Sequence, residues 1–276
     1  MIFTDLDGTL LDHDTYDWTP ARPALAALSA RRVQVVLCSS KTRAEMRALA
    51  AAMHLHAPLI VENGGGVWLP PSWASHLPEG AMPADDGWIV VLGASVDTLR
   101  PALQRIAASV GTSLRGFGDM DVDEVARRTG LAPATAALAA RREFSEPFVA
   151  DPPVPLRDLD AAASHHGLQV TQGGRFFHLI GPSDKGRAVR IVSGWIGPSR
   201  VGTTLGFGDA PNDLPLLQAV DTGVIVPRPD GTPHPELVAA LPDAIVAPLP
   251  GPRGWNAAAL AWLDASGAGA APTPTR

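Results

Sequence analysis

MIFTDLDGTLLD, residues 1–12, sets two carboxylates, Asp5 and Asp7, one residue apart behind a short apolar run and just ahead of Gly8. Ile2-Phe3-Thr4 has the composition of a strand, whereas paired aspartates repel each other and are poor strand formers. The chain therefore leaves its first strand where charge serves something other than folding. A calcium loop of the EF-hand type is the bland alternative for such a pair. It needs an acidic or amide residue at its fifth position and glycine at its sixth, and this chain has Thr9 and Leu10 there.

Outward from this stretch, apolar runs alternate with helical patterns. Pro20–Ala30 reads as a helix with Leu25 and Leu28 on one face, Val33–Leu37 as a buried strand, and Thr42 to about Met53 as a second helix. Leu59–Val61 is a third strand, ending at Glu62-Asn63-Gly64-Gly65-Gly66. A βαβαβ order implies a parallel sheet whose ligands sit beyond the carboxyl ends of the strands, where Asp5, Ser39 and Glu62 all fall. From about Ala81 to Ile180 the rhythm changes. Strands are expected at Trp88–Leu92, Thr112–Arg115, Phe148–Val149, Leu168–Gln172 and Phe176–Leu179, interleaved with helices at Val96–Val110, Asp121–Thr129, Ala132–Ala140 and Leu156–His166. Pro78, Gly80 and Pro83 before this segment, and Gly181-Pro182 after it, are linker-like. After Lys185 the α/β rhythm returns, with a helix to Trp195, a strand at Thr203–Leu205, the run GFGDAPND, a helix at Leu214–Val220 and a strand at Val224–Val226. The expected organisation is an α/β core made of residues 1–81 and 182–264, an inserted α+β domain at 82–181, and a disordered tail at 265–276, ASGAGAAPTPTR.

Composition excludes several classes. The chain has 276 residues, 46% of them hydrophobic and 18% charged, enough for a sizeable core. A single cysteine, Cys38, rules out a disulfide framework and a CxxC zinc site, which fits a reducing, cytoplasmic setting. A net charge of −6 argues against a broad nucleic-acid footprint, and no apolar run is long enough to cross a bilayer. An anionic substrate then requires a local basic pocket.

Four motifs follow in order: Asp5-Leu6-Asp7-Gly8-Thr9 at a strand end, Ser39-Ser40 at another, Lys185 at a helix start, and Gly208-Asp209-Ala210-Pro211-Asn212-Asp213 after a later strand. The serines suit either a helix cap or an anion site, since both use a helix N-terminus. Lys185 sits where the helix dipole disfavours a cation unless an anion lies nearby. Together the motifs resemble the haloacid dehalogenase superfamily of phosphohydrolases. The resemblance implies a Rossmann-like core with a parallel sheet. It also implies that Asp5 attacks phosphorus, that Asp7 protonates the leaving oxygen and activates water, and that Ser39 and Lys185 hold the phosphate. Mg²⁺ would be held by Asp5, Asp7, Asp209 and Asp213. The chemistry accounts for these residue types: a carboxylate nucleophile is already ionised at neutral pH, but a phosphate dianion repels it until a divalent cation and a lysine neutralise the charge.

GFGD occurs twice, at Gly116–Asp119 and Gly206–Asp209, and only the second follows Lys185 and precedes Asn212-Asp213. Asp119 is accordingly expected to be a turn or capping residue. The insert falls where the superfamily places a type 2 cap, which chooses the substrate. CSSKTRAE, VENGGGVWLP, ARREFSEPF and QGGRFFHLIGPSDKG resemble the mannosyl-3-phosphoglycerate phosphatase family over nearly the whole chain. This implies a Mg²⁺-dependent phosphatase giving mannosylglycerate, a compatible solute; glucosyl-3-phosphoglycerate, sucrose phosphate and other sugar phosphates are the alternative substrates. A non-catalytic sugar-phosphate binding module is opposed by the intact set Asp5, Asp7, Lys185 and Asp209. For a small phosphorylated sugar-glycerate, the chain offers Arg141, Arg142 and Arg175, whose forks match carboxylates, and backbone donors at Gly173 and Gly174. Lys41, Glu62, Asn63, Gly64 and Asn212 complete the candidate substrate contacts.

Overall fold

The computed structural model describes residues 1–85, 87–173, 176–197 and 202–265. Its first half runs β1 (Ile2–Thr4), α1 (Arg22–Ala30), β2 (Val35–Cys38), α2 (Arg43–Ala52), β3 (Leu59–Val61), β4 (Gly66–Leu69), β5 (Met82–Ala84), β6 (Gly87–Val91), α3 (Val96–Val110) and β7 (Ser113–Gly116). There follow α4 (Val122–Thr129), α5 (Pro133–Ala139), β8 (Ser145–Asp151), α6 (Leu156–Ser164), β9 (Gln169–Gly173), β10 (Phe176–Ile180) and α7 (Lys185–Ile196). The chain closes with β11 (Leu205–Gly208), a short helix Leu214–Gln218, β12 (Thr222–Ile225), a helix Pro235–Ala240, β13 (Ile245–Val246) and a helix Gly251–Ala265.

Internal contacts divide the molecule into two units. The first holds Met1–Ser39, Ala50–Pro58 and the chain from Lys185 onward. Its strands run β13-β12-β11-β1-β2, all parallel, with Thr4 beside Leu37 on one side and Phe207 on the other. Parallel pairing brings the residues that follow β1, β2 and β11, namely Asp5, Ser39 and Asp209, to one edge of the sheet. Ile2, Phe3, Leu37 and Phe207 are fully buried, as continuous apolar strands covered on both faces must be. The last helix closes this core: Trp255 is buried, its ring lies 5.3 Å from that of Phe207, and its indole N–H donates to Thr4 Oγ1 at 3.0 Å.

The second unit holds Ser40–Leu49 and Leu59–Asp184. It contains the antiparallel run β3-β4-β6-β5 and a four-stranded antiparallel sheet in the order β7-β8-β10-β9. One face of that sheet packs Phe148, Val170 and Leu179 on Leu99, Leu103 and Ile106 of α3 and Leu159 of α6. The segment Leu59–Ala81, expected with the core, groups here because β4 pairs on both sides within this unit, with β3 and with β6.

The α/β class with an inserted α+β segment agrees with the sequence reading. Details move. The strand expected at Thr203–Leu205 is β11 at Leu205–Gly208, shifted because Gly206 and Gly208 depress strand composition where packing demands them. β4, with its glycine start, and the helix Gly251–Ala265, which opens Gly-Pro-Arg-Gly, carried no clear signal. Of the tail expected to be disordered, residues 266–276 lie outside the described residues. Among the described residues no helix is long and apolar enough to cross a membrane.

Candidate active site

β1 ends at Thr4, and Asp5 follows with its backbone N–H donating to Phe207 O at 3.0 Å. Its side chain is buried and meets the buried ammonium of Lys185, with Nζ 2.6 Å from Asp5 Oδ1. The same Nζ lies 2.6 Å from Asp213 Oδ1. The cation at the start of α7 thus faces two carboxylates. Burial works against the ammonium, but Asp213 and Asp5 outweigh it and hold its pKa well above the lysine range.

Asp213 is anchored through both oxygens. Oδ1 takes Lys185, and Oδ2 accepts the backbone N–H groups of Asp209 and Ala210, each at 3.1 Å. A side chain at Gly208 would place its Cβ 2.3 Å from Asp213 Cβ, so only glycine lets this loop close so tightly. Asp209 is half-buried and accepts from Thr9 Oγ1 at 3.1 Å. Gly8, with φ of 77°, passes so close that a Cβ would lie 2.6 Å from Asp209 Oδ2.

Asp5, Asp209 and Asp213 each bring a carboxylate oxygen within 4.8 Å of the others. Three carboxylates therefore share one ammonium. Burial and then Asp213 push the Asp5 carboxyl well above its usual range despite Lys185. The same two causes push Asp209 up to about 7. Surplus buried negative charge on hard oxygen donors suits a divalent cation such as Mg²⁺. Asp5 and Asp209 are the better-placed ligands, because both Asp213 oxygens already have partners.

Asp7, expected among the metal ligands, is half-buried in the turn where its backbone bridges to Leu11, and its carboxylate is outside the trio. Leu6, fully buried between them, separates the two aspartates. Ser39 is buried just past the end of β2. The helix cap is supplied instead by Thr42 and Glu45. Thr42 N donates to Glu45 Oε2 at 2.9 Å and Glu45 N to Thr42 Oγ1 at 3.2 Å, a reciprocal box visible in the sequence as T-x-x-E and not read there. Asn212 is exposed. Cys38 is buried in β2, in keeping with a packing role.

In the second unit, Glu62 is buried and its oxygens are occupied by the protein. Oε1 accepts from Glu143 N at 2.9 Å, and Oε2 accepts from Phe144 N at 3.1 Å and Ser145 Oγ at 2.6 Å. Burial raises its pKa, and Arg142 with these donors counters. Glu62, expected to meet sugar hydroxyls, is held here as a clamp on residues 143–145, with both oxygens accepting from the protein. Glu62, Asn63 and Gly64 form a tight turn, all at positive φ. Asn63 Oδ1 and Arg142 Nε are buried with no protein hydrogen-bond partner. Arg142 Nη1 donates to the carbonyl of Ser40 at 2.7 Å, and Lys41 O accepts from Glu62 N at 3.1 Å. Arg141 is exposed. Gly173 ends β9 paired with Phe176, whereas Gly174 and Arg175 lie outside the described residues. Asp119 accepts from Gly116 N at 3.1 Å, closing a turn as the sequence suggested.

Residues 2–73 match the family of haloacid dehalogenase-like hydrolases. With the parallel sheet and the carboxylate–lysine cluster, this defines a phosphoric monoester hydrolase of that superfamily. Over 267 residues the chain is 37% identical to the glucosyl-3-phosphoglycerate/mannosyl-3-phosphoglycerate phosphatase of Methanococcoides burtonii, a match spanning 94% of this chain and 96% of that one. It is 36% identical over 262 residues to the protein of the same name from Persephonella marina, covering 93% and 94%. Its fold is similar to the sucrose-phosphatase of Synechocystis solved with sucrose and phosphate, at TM-score 0.58 and 20% identity over 95% of this chain and 97% of that one. The chain belongs to the mannosyl-3-phosphoglycerate phosphatase family of the haloacid dehalogenase superfamily, and is a sugar phosphatase.

Proposed function

We propose that the protein is a cytoplasmic, Mg²⁺-dependent phosphatase that hydrolyses mannosyl-3-phosphoglycerate, and glucosyl-3-phosphoglycerate beside it, to the glycosylglycerate and inorganic phosphate. The observation that carries the chemistry is the ammonium of Lys185 shared between Asp5 and Asp213. Lys185 holds Asp5 by one oxygen, and the other attacks phosphorus. As the bond from phosphorus to the glycerate oxygen breaks, Asp7 gives that oxygen its proton, leaving an aspartyl-phosphate. Asp7 then takes a proton from water, which attacks the same phosphorus and frees phosphate and Asp5. Ser39 donates to the phosphate throughout. When bound, Mg²⁺, held by Asp5 and Asp209, offsets the charge of the phosphate dianion.

We read the insert, residues 82–181, as the cap that chooses the substrate. Arg43, Arg47, Asp85, Arg141, Arg142 and Glu143 line a cavity of about 280 Å³. Arg43 is already matched there by Glu143 at 2.9 Å and Asp85 at 3.2 Å. Arg141 and Arg142 are the donors left for a carboxylate, and the unpartnered Nε of Arg142 favours it over Arg141. The names of the two relatives support both sugars. The test is phosphate release from mannosyl- and glucosyl-3-phosphoglycerate, sucrose phosphate and p-nitrophenyl phosphate side by side. The reading expects the two glycosyl-3-phosphoglycerates to lead in kcat/KM, and a lead by sucrose phosphate would overturn it.

A further inference from the structure

β10 alternates Phe176, His178 and Ile180 on one face with Phe177 and Leu179 on the other. The second face is the packed one, built on α3 and α6. On the first, His178 stands opposite Pro147 of β8 and Thr171 of β9, and Ile180 opposite Ser145. Thr171 and Gln169 on this face, and Arg115 and Ser113 further across the sheet, are exposed. This face is exposed toward its edges, whereas around His178 the residues Pro147, Ser145 and Ile180 are buried and Phe176 packs with Phe117, Val125 and Ala136.

Arg142 lies across it. Its Nη1 is 3.5 Å from Ser145 Oγ, and its guanidinium carbon is 5.9 Å from the ring of Phe117, which packs edge-on against Phe176 with centroids 5.1 Å apart. His178, between Phe176 and Ile180 on the strand, falls between these two anchor points. The same Nη1 holds the carbonyl of Ser40. The imidazole is only partly exposed, and no side-chain hydrogen bond to it is present among the described residues. Burial, and then the Arg142 charge, hold its pKa at about 3, so the ring is neutral at physiological pH. A neutral imidazole carries one donor and one acceptor, the complement of a hydroxyl group, whereas a carboxylate takes donors only, which Arg142 supplies.

We propose that His178 is a specificity-determining substrate contact, its imidazole hydrogen-bonding sugar hydroxyls of a glycosylated phosphoglycerate while Arg142 takes the carboxylate. This rests on the function proposed above and adds a residue that the motif comparison did not single out.

The experiment compares wild type with His178→Phe, His178→Asn and His178→Gln, reading the ratio of kcat/KM for mannosyl-3-phosphoglycerate to that for p-nitrophenyl phosphate. Phenylalanine keeps the ring and removes both polar atoms, so the ratio should fall roughly 10-fold to 100-fold. The two amides restore a donor and an acceptor near one or the other ring nitrogen, and one of them should recover at least a third of the ratio. The Ki of the product, mannosylglycerate, should rise in parallel with the loss. An unchanged ratio in a folded His178→Phe enzyme overturns the inference alone, as does a fall that neither amide restores. Failure of wild type to hydrolyse either glycosyl-3-phosphoglycerate while cleaving p-nitrophenyl phosphate overturns the functional reading and this inference with it.

Discussion

Each unit buries a cluster of charge, and the two are balanced in opposite ways. In the parallel-sheet unit, Asp5, Asp209 and Asp213 face one ammonium, Lys185. In the antiparallel unit, Glu62 has three donors from Glu143, Phe144 and Ser145, with the charge of Arg142 bearing on it. The first is left with negative charge that only a proton or a cation can neutralise. The second is satisfied at its carboxylate and keeps unpartnered polar atoms at Arg142 and Asn63. On the function proposed above, the surplus of charge serves the chemistry, and the clamp, with one spare donor and one spare acceptor beside it, serves recognition.

The sharpest way to break this contrast is to replace single atoms in the first cluster. Asp5→Asn keeps the shape but cannot form an acyl-phosphate. Turnover should drop by at least about a thousandfold while the far-UV circular dichroism stays native. Retained activity above a few per cent would remove Asp5 from the mechanism.

The corresponding change in the second cluster should act on stability. Glu62→Ala strands two backbone N–H groups and the Ser145 hydroxyl, and leaves Arg142 without its compensating charge. Loss of one partner from a buried charged network costs about 3–5 kcal/mol. Denaturant unfolding should show a loss of that size. Near-neutral stability with selectively lost sugar-phosphate turnover would return Glu62 to the substrate site.

How much of this was legible beforehand depended on whether a feature is local. Val96–Val110 is legible to the residue because its apolar stripe, carrying Leu99, Leu103 and Ile106, has helical period throughout. Asp5 and Asp7 stood out because charge at the end of a strand has no local use. What depends on tertiary partners stayed hidden. Nothing in GDAPND separates an aspartate tied on both oxygens, Asp213, from one with room for a ligand, Asp209. Glu62 and Glu45 look alike as acidic residues near glycine or threonine, yet one clamps a distant loop and the other caps its own helix. His178 lies in an aromatic run whose alternation is visible, but only the packing of Phe177 and Leu179 on α3 and α6 shows which of its faces joins that core.

A pH titration sharpens the contrast next. The folded pKa of His178, about 3, lies below its unfolded value of about 6.5, so the unfolded chain binds more protons between them. The stability that comes from keeping the ring neutral is present above about pH 6.5 and is lost as pH falls toward 3. From pH 7 to pH 5, wild type should lose about 1–2 kcal/mol relative to His178→Phe, the lower figure allowing for solvent at the ring's exposed edge. The difference between the two proteins cancels every other titrating group. Identical pH profiles would show that the imidazole is solvated and titrates normally.

The smallest effect is expected at the echo of the catalytic motif. Asp119 and Asp209 both end a GFGD tetrapeptide, but Asp119 takes a backbone hydrogen bond from Gly116 while Asp209 joins the carboxylate trio. Asp119→Ala should therefore cost about 1 kcal/mol, the worth of one turn-closing bond, and leave the Mg²⁺ concentration for half-maximal activity where it was. Asp209→Ala should raise that concentration at least about tenfold, because it removes one of the two carboxylates best placed for the ion. Magnesium titrations of the two variants, run beside thermal melts, read both quantities. Equal shifts in the magnesium requirement would mean that Asp119 also acts at the metal, and the distinction drawn between the two units would fail at the tetrapeptide they share.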